Sequence, residues 1–304
     1  MPHRPFADSS PRPRRSQTAL SAPAPAKLNL GLHVLRKRPD GYHDLETAFV
    51  ALGWSDMLSA EPSDGLSLTC SDPTLPTDGR NLVVRAARAL ADHASIEARA
   101  ALHLDKVVPY GAGLGSGSSD AATALRLLAR LWTLDVPEAE MARLAAGLGS
   151  DVPFFLAGAS MLATGRGEHL APLVRADGSP WRCLFWLVVA VPPVHVSTAR
   201  AYRAVAPNDR GRARVAATVL SDDLARWRRD LANDFEAPVV ALYPAIGTAR
   251  DALLDAGAGY AALSGSGSAV FGAFESAALA QTAAGGLAAA GCRTWTEPPA
   301  GVRP

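Results

Sequence analysis

Pro109-Tyr-Gly-Ala-Gly-Leu-Gly-Ser-Gly-Ser-Ser119 runs directly into Asp120-Ala-Ala-Thr-Ala-Leu-Arg-Leu-Leu-Ala-Arg-Leu-Trp132. Gly111, Gly113, Gly115 and Gly117 take alternate positions, so this backbone can adopt φ > 0 and approach a ligand closely. Behind them, Ser118 or Ser119 offers an N-cap, and Leu125, Leu128 and Trp132 mark one face of a helix. Upstream, residues 100–106 read as a strand. Strand, Gly/Ser loop and helix start together make a concave array of free N–H groups, backed by the positive end of a helix dipole. The pattern predicts a phosphate cradle. No lysine follows the glycines, which excludes a Walker A loop. A dinucleotide fingerprint would lie near the start of its domain, answered by an acid on the next strand, and Asp120 is too close to serve.

The chain around this loop has 304 residues, 48% of them hydrophobic, enough for one large core or two ordinary ones; two domains are expected. A formal net charge of +1 argues against a nucleic-acid or membrane-surface binder working through bulk charge. The longest apolar run, 184–191, is too short for a bilayer and reads as a buried strand. Three scattered cysteines without CxxC spacing suit a reducing, cytoplasmic setting. Of 30 basic residues only Lys27, Lys37 and Lys106 are lysine. A chain that otherwise uses arginine keeps lysine where a compact point charge is needed.

Residues 1–21, rich in Pro, Arg and Ser with no apolar period, read as a disordered tail, and the prolines spoil an amphipathic transit helix. In Ala24-Pro-Ala-Lys-Leu-Asn-Leu-Gly-Leu-His-Val34, leucines alternate with polar residues, a half-buried strand. Lys27 and Asn29 then point the same way, off the core, as a solvated face or a site wall. Pro39-Asp-Gly41 supplies a turn that sets Tyr42 and His43 just beyond it, either a surface staple or a pair that binds a ring. Strands follow at 49–54 and 66–70, and Asn81 can cap a helix over 82–93. A helix over 138–148 leads into Gly149-Ser-Asp-Val-Pro153, where Asp151, two residues before proline, would make a good N-cap. Strands at 160–164 and 170–173 pair, and 175–180 is the clearest boundary, giving domains 22–176 and 177–304. Beyond it come a strand at 184–191, a helix entered at 194–202 with Ser197 or Thr198 as cap, and a polar loop at 208–214. Helices at 222–231 and 245–256 precede a second Gly/Ser loop, Leu263-Ser-Gly-Ser-Gly-Ser268, which leads into a strand. A helix over 277–290 and a strand at 293–296 end the ordered chain. Strands and helices intermix without a βαβ period, which indicates α+β.

These stretches, in this order, resemble the GHMP small-molecule kinases (galactose, homoserine, mevalonate and phosphomevalonate kinases). Ala24-Pro-Ala-Lys-Leu-Asn-Leu30 resembles the family's opening strand, and Pro109 to Ser119 with Asp120-Ala-Ala its ATP loop. Gly149 to Pro153 resembles its catalytic-aspartate segment and Ser264-Gly-Ser-Gly267 its third motif. Asp40-Gly-Tyr-His43 resembles the signature of one branch, whose alcohol substrate carries a cytidine diphosphate group. The likeness runs from about Ala22 to Cys292; Ser116 stands where the family commonly has glycine. The fold it implies is α+β, the two-domain GHMP kinase fold. Its N-terminal domain is ribosomal protein S5 domain 2-like and its C-terminal domain ferredoxin-like.

The resemblance implies phosphoryl transfer from ATP, with Mg²⁺ bridging the phosphates and no side chain assigned as a metal ligand. Asp151 would orient or deprotonate the accepting hydroxyl, and Lys27 would keep it ionised and steady the transferring charge. Pro109, Tyr110, Gly111, Ala112, Gly113, Leu114, Gly115, Ser116, Gly117, Ser118 and Ser119 would bind the ATP phosphates. Lys106 would lie on the nucleotide and Asn81 by the adenine. Tyr42, His43 and Tyr202 would hold the cytosine, with Asn29 and Thr198 near the substrate. Two other readings compete. A kinase for another alcohol, such as a phosphomevalonate or a sugar, should carry an early Gly-Glu-His in place of Asp-Gly-Tyr-His. A non-catalytic ligand sensor should have lost Lys27 or Asp151.

Overall fold

The computed structural model describes residues 19–209 and 214–301. Most of the predicted tail (1–18) and the middle of the polar loop at 208–214 lie outside the described residues. The chain opens with β1 (Leu20–Lys37), β2 (His43–Glu61), β3 (Leu66–Cys70), α1 (Leu82–Ala94) and β4 (Ala100–Asp105). Next come α2 (Ser116–Leu131), α3 (Glu138–Leu148), α4 (Val152–Ala157), β5 (Met161–Gly165) and β6 (His169–Pro172). The second half runs β7 (Trp186–Val191), α5 (Thr198–Ala204), α6 (Val215–Val219), α7 (Leu224–Asp230), α8 (Glu236–Leu242) and α9 (Pro244–Asp255). It ends with β8 (Tyr260–Leu263), β9 (Val270–Phe274), α10 (Ala277–Ala289) and β10 (Arg293–Glu297).

Two elements are longer than the sequence pattern predicts. β1 starts at Leu20, inside the expected tail, because Leu20 and Ser21 pair with Ala60 and Ser59 through backbone bonds that need no apolar period. The predicted strand 49–54 is the middle of the 19-residue β2. Register shifts at Pro25/Lys27 and Leu30/Leu32 bend this hairpin. Between them the alternation survives, so Lys27 and Asn29 do share a face. That face is not open: β1 is buried on both sides from Ala26 to Val34.

The reason lies in the layering. The first sheet, in the order β3-β4-β2-β5-β6 with β1 beside β2, packs one face on α1 to α4. Its other face, through Leu28, Leu30, Val50 and Trp54, meets Leu187, Val189, Phe271 and Ala273 of the second sheet. That sheet has the order β10-β7-β9-β8, the 4-1-3-2 arrangement of a ferredoxin-like unit, with α9 and α10 behind it. The strands of the two sheets end and begin at Pro172 and Trp186, on either side of 175–180. β1 also bonds directly across: Leu32 N–H donates to Ala232 O, and Asp234 N–H to Leu32 O. α6 and α8 carry little periodic signal over so few turns and are absent from the sequence-based elements.

Candidate active site

The glycine loop forms where the sequence places it, but its helix starts earlier. Gly115, in the left-handed conformation (φ 70°), precedes α2 with no side-chain cap, so Ser118 and Ser119 lie within the first turn. Ser116 is the first helical residue and needs no positive φ. The N–H groups of Ser116, Gly117 and Ser118 therefore have no helical acceptor and sit at the positive end of the helix dipole. Two glycines are required by the protein as much as by any ligand. A Cβ on Gly113 would lie 2.1 Å from the carbonyl oxygen of Ser264, so the two Gly/Ser loops pack backbone to backbone. One on Gly115 would lie 2.9 Å from the Phe155 ring and 3.1 Å from the Lys27 stem.

Lys27 leaves β1 under this loop. Its side chain is 4% exposed, and its ammonium donates to Asn29 Oδ1 at 2.5 Å and to the Gly113 carbonyl at 3.0 Å. Asp151 Oδ2 lies 3.7 Å away. Burial lowers the Lys27 pKa, and Asp151 only partly restores it. Asp151 occupies the N-cap position of α4, but its side chain makes no capping bond. The carboxylate is 35% exposed and turned toward Lys27. The capping expectation is therefore corrected: the short helix leaves this acid unused.

Lys27, Asn29, Tyr42, His43, Thr198 and Tyr202 line one cleft of about 650 Å³ with Gly111, Gly113, Gly115 and Asp151. His43 stacks on Tyr202 with ring centroids 5.2 Å apart, and Tyr202 meets Phe235 edge-on. Burial, and then the nearby Lys37, pulls the His43 imidazole below its ordinary pKa. Burial, helped by the Asp151 charge, pushes the Tyr202 hydroxyl up to about 12. Both rings are therefore neutral at neutral pH. Thr198 Oγ1 lies 3.2 Å from Ser266 Oγ, which ties α5 to the second loop.

The other predicted nucleotide residues are not part of this cleft's lining. Lys106 is buried behind the loop, its ammonium 2.5 Å from Asp56 and 2.8 Å from Asp120, and it does not reach the cleft. Asn81 is a cap: it accepts from Val83 N–H, one of the free donors at the start of α1, and its amide donates to the Pro76 carbonyl. Ala112 and Leu114 are core residues, Pro109 is half-buried, and Tyr110 is exposed with its ring edge against Gly117. The hydroxyls of Ser116 and Ser119 are buried and unpartnered.

Sequence reasoning missed Arg166, Phe235 and Thr47, which also line the cleft. Arg166 projects from the β5–β6 turn, its guanidinium 4.9 Å from the Tyr42 ring centroid. A single arginine between glycines in a turn gives no periodic signal. A buried lysine beside a partly exposed carboxylate, an anion cradle and an aromatic wall in one cleft fit transfer of a phosphoryl group to a hydroxyl on a flat-ringed substrate.

Comparison with known proteins points the same way. The family model described as GHMP kinases N terminal domain matches residues 81–159, and GHMP kinases C terminal matches 215–291. A 4-diphosphocytidyl-2-C-methyl-D-erythritol kinase from Salinibacter ruber is 51% identical over 280 residues, 92% of this chain and 98% of its own. A crystal structure of 4-(cytidine 5'-diphospho)-2C-methyl-D-erythritol kinase is similar at TM-score 0.78 and 37% identity, across 93% of this chain and 100% of that one. Homoserine kinase from Cytophaga hutchinsonii, at TM-score 0.69 and 18% identity over 98% of each chain, shares the fold.

Proposed function

The chain belongs to the GHMP kinases, and from that premise we propose that it phosphorylates the 2-hydroxyl of 4-diphosphocytidyl-2-C-methyl-D-erythritol with ATP, on the methylerythritol phosphate route to isoprenoid precursors. One observation carries the reading. Lys27 and Asp151 face each other at 3.7 Å in a cleft walled by both the glycine loop and the His43–Tyr202 stack.

Asp151 hydrogen-bonds the substrate hydroxyl and takes its proton as the oxygen attacks the γ-phosphorus and the bond to ADP breaks. Lys27, fixed beside it, faces the negative charge that spreads over the transferring group. The open N–H groups of the α2 start hold the phosphates. No cluster of three ligating side chains exists among the described residues. Mg²⁺ binds mainly through phosphates and water. The orphan hydroxyls of Ser116 and Ser119 would hold it from the protein side. When bound, it neutralises phosphate charge.

At the substrate end, neutral His43 can both donate to and accept from the cytosine edge, Tyr202 offers a ring face, and Arg166 suits a phosphate oxygen pair. No helix among the described residues is long and apolar enough to cross a membrane, and Cys70, Cys183 and Cys292 are unpaired. We place the enzyme in the cytoplasm.

The test is ADP release against a panel of alcohols. The cytidyl substrate should support turnover, and a preference for phosphomevalonate or a sugar would move the chain to another branch. Tyr202→Ala and His43→Ala should each raise the KM for the cytidyl substrate about 5- to 150-fold, the equivalent of about 1–3 kcal/mol, and leave that for ATP alone. An effect on ATP alone would place these rings at the nucleotide.

A further inference from the structure

We propose that Thr47 is a positioning residue that fixes the polarity of a buried relay and so aims the Lys27 ammonium. The inference rests on Lys27 and Asp151 being the reactive pair. Thr47 lies on β2, fully buried, and its hydroxyl donates to the Gly31 carbonyl at 2.6 Å. With its one proton given away, the hydroxyl can only accept, and Asn29 Nδ2 donates to it at 2.9 Å. The Asn29 carboxamide cannot turn over. Its oxygen must face Lys27, which donates to it at 2.5 Å. A reversed amide would set an NH₂ against the ammonium and leave the Gly31 carbonyl without its donor.

The rest of the surroundings completes the lock. Ser264 Oγ accepts from Asn29 N–H at 3.3 Å and donates to the Gly113 carbonyl at 3.1 Å, the same oxygen that receives Lys27. Phe49, on β2, lies with its ring centroid 5.1 Å from the ammonium. Asp151, from the start of α4, is the charged group facing it. Asn29 Oδ1 and the Gly113 carbonyl thus accept hydrogen bonds from the ammonium, and Asp151 faces it as an ion partner at 3.7 Å. Two accepting oxygens and a facing carboxylate favour the charged ammonium over the neutral amine. Thr47 touches no reacting atom; it works by denying Asn29 its other orientation.

Thr47→Val keeps shape and removes the hydroxyl, and Thr47→Ser restores it. Because the chain has three lysines, ¹³C-labelled lysine gives three sets of side-chain signals, and the Lys27 set can be titrated in the resting protein. In Thr47→Val the Lys27 titration should move down by about one pH unit, the scale of one charge-assisted hydrogen bond. The alkaline limb of kcat/KM should move with it. kcat should fall about tenfold with the KM for ATP within about twofold. Thr47→Ser should return all three toward wild type. A folded Thr47→Val with an unshifted Lys27 titration overturns the proposal. Should that variant not fold, wild type decides: the Asn29 carboxamide protons should exchange slowly with water, and exchange at the rate of a free amide overturns the relay. The titration needs no substrate, so failure of the kinase assignment, seen as no ADP release by wild type, is a separate result.

Discussion

Lys27 and Lys106 flank the same strand, β2, from β1 and from the end of β4, and their side chains are equally hidden, at 4% and 3% exposure. Their partners differ. Lys106 has two carboxylates, Asp56 and Asp120, within 2.8 Å, and Asp56 is further held by the N–H groups of Val107 and Val108. Burial alone would lower its pKa, but Asp120 and Asp56 together outweigh burial and raise it. Lys27 has one carboxylate, farther off and open to solvent, and burial wins. Side chains equally closed to solvent therefore end as a locked structural cation in one place and, at the more deeply buried Lys27, an under-neutralised one in the other. The number and distance of opposite charges decide which.

The sharpest way to break this contrast is Asp151→Asn. It should keep both ligands bound and cut turnover by roughly 10²-fold or more. Melting should barely move, since the carboxylate caps nothing. A fall of several degrees with turnover intact would make Asp151 a structural partner like Asp56. Lys27→Arg should be similarly damaging, because a planar fork cannot replace a compact ammonium where Asn29, the Gly113 carbonyl and Asp151 converge.

Lys106→Met is the counterpart. Removing the cation strands two buried acids and should cost about 3–5 kcal/mol of stability, read by urea titration. The protein that remains folded should show near-normal kinetics. A raised KM for ATP with stability unchanged would return Lys106 to the nucleotide.

The smallest effect is a pH dependence. Burial, together with the Asp56 charge, outweighs Lys106 and pushes Asp120 from 3.8 up to about 7. The folded state then holds a proton that the unfolded chain releases, so this group's stabilisation is full below about 3.8 and is lost as pH rises through about 7. Asp120→Asn keeps an acceptor for Lys106 and drops the surplus charge. Wild type should lose stability relative to this variant as pH is raised across that window. Parallel pH–stability curves for the two would mean that the cluster is neutral as it stands.

What the residues determined by themselves is local. Asn81 caps α1, residues 138–148 make α3, 66–70 make β3, and the glycines turn the chain into α2, because each depends on atoms a few positions away. Lys27 and Asn29 share a face for the same reason, and the five motifs in order were enough to point to the family. The roles of charged and buried groups were not legible in this way. Lys106 and Asp120 both lie beside the loop in sequence, yet Asp56, from β2, completes their cluster and ties the lysine into a buried ion-pair group. Asp151 stands where a cap stands and does not cap; Lys27, from β1, lies 3.7 Å from its carboxylate. Gly113 looks like a ligand's glycine, and the Ser264 carbonyl is what lies against it. Thr47 and Arg166 carry no local signal at all. Backbone conformation answers to near neighbours, whereas desolvation and Coulomb energy answer to whatever packs within a few ångströms, and the packing of the two sheets brings those groups together from distant parts of the chain.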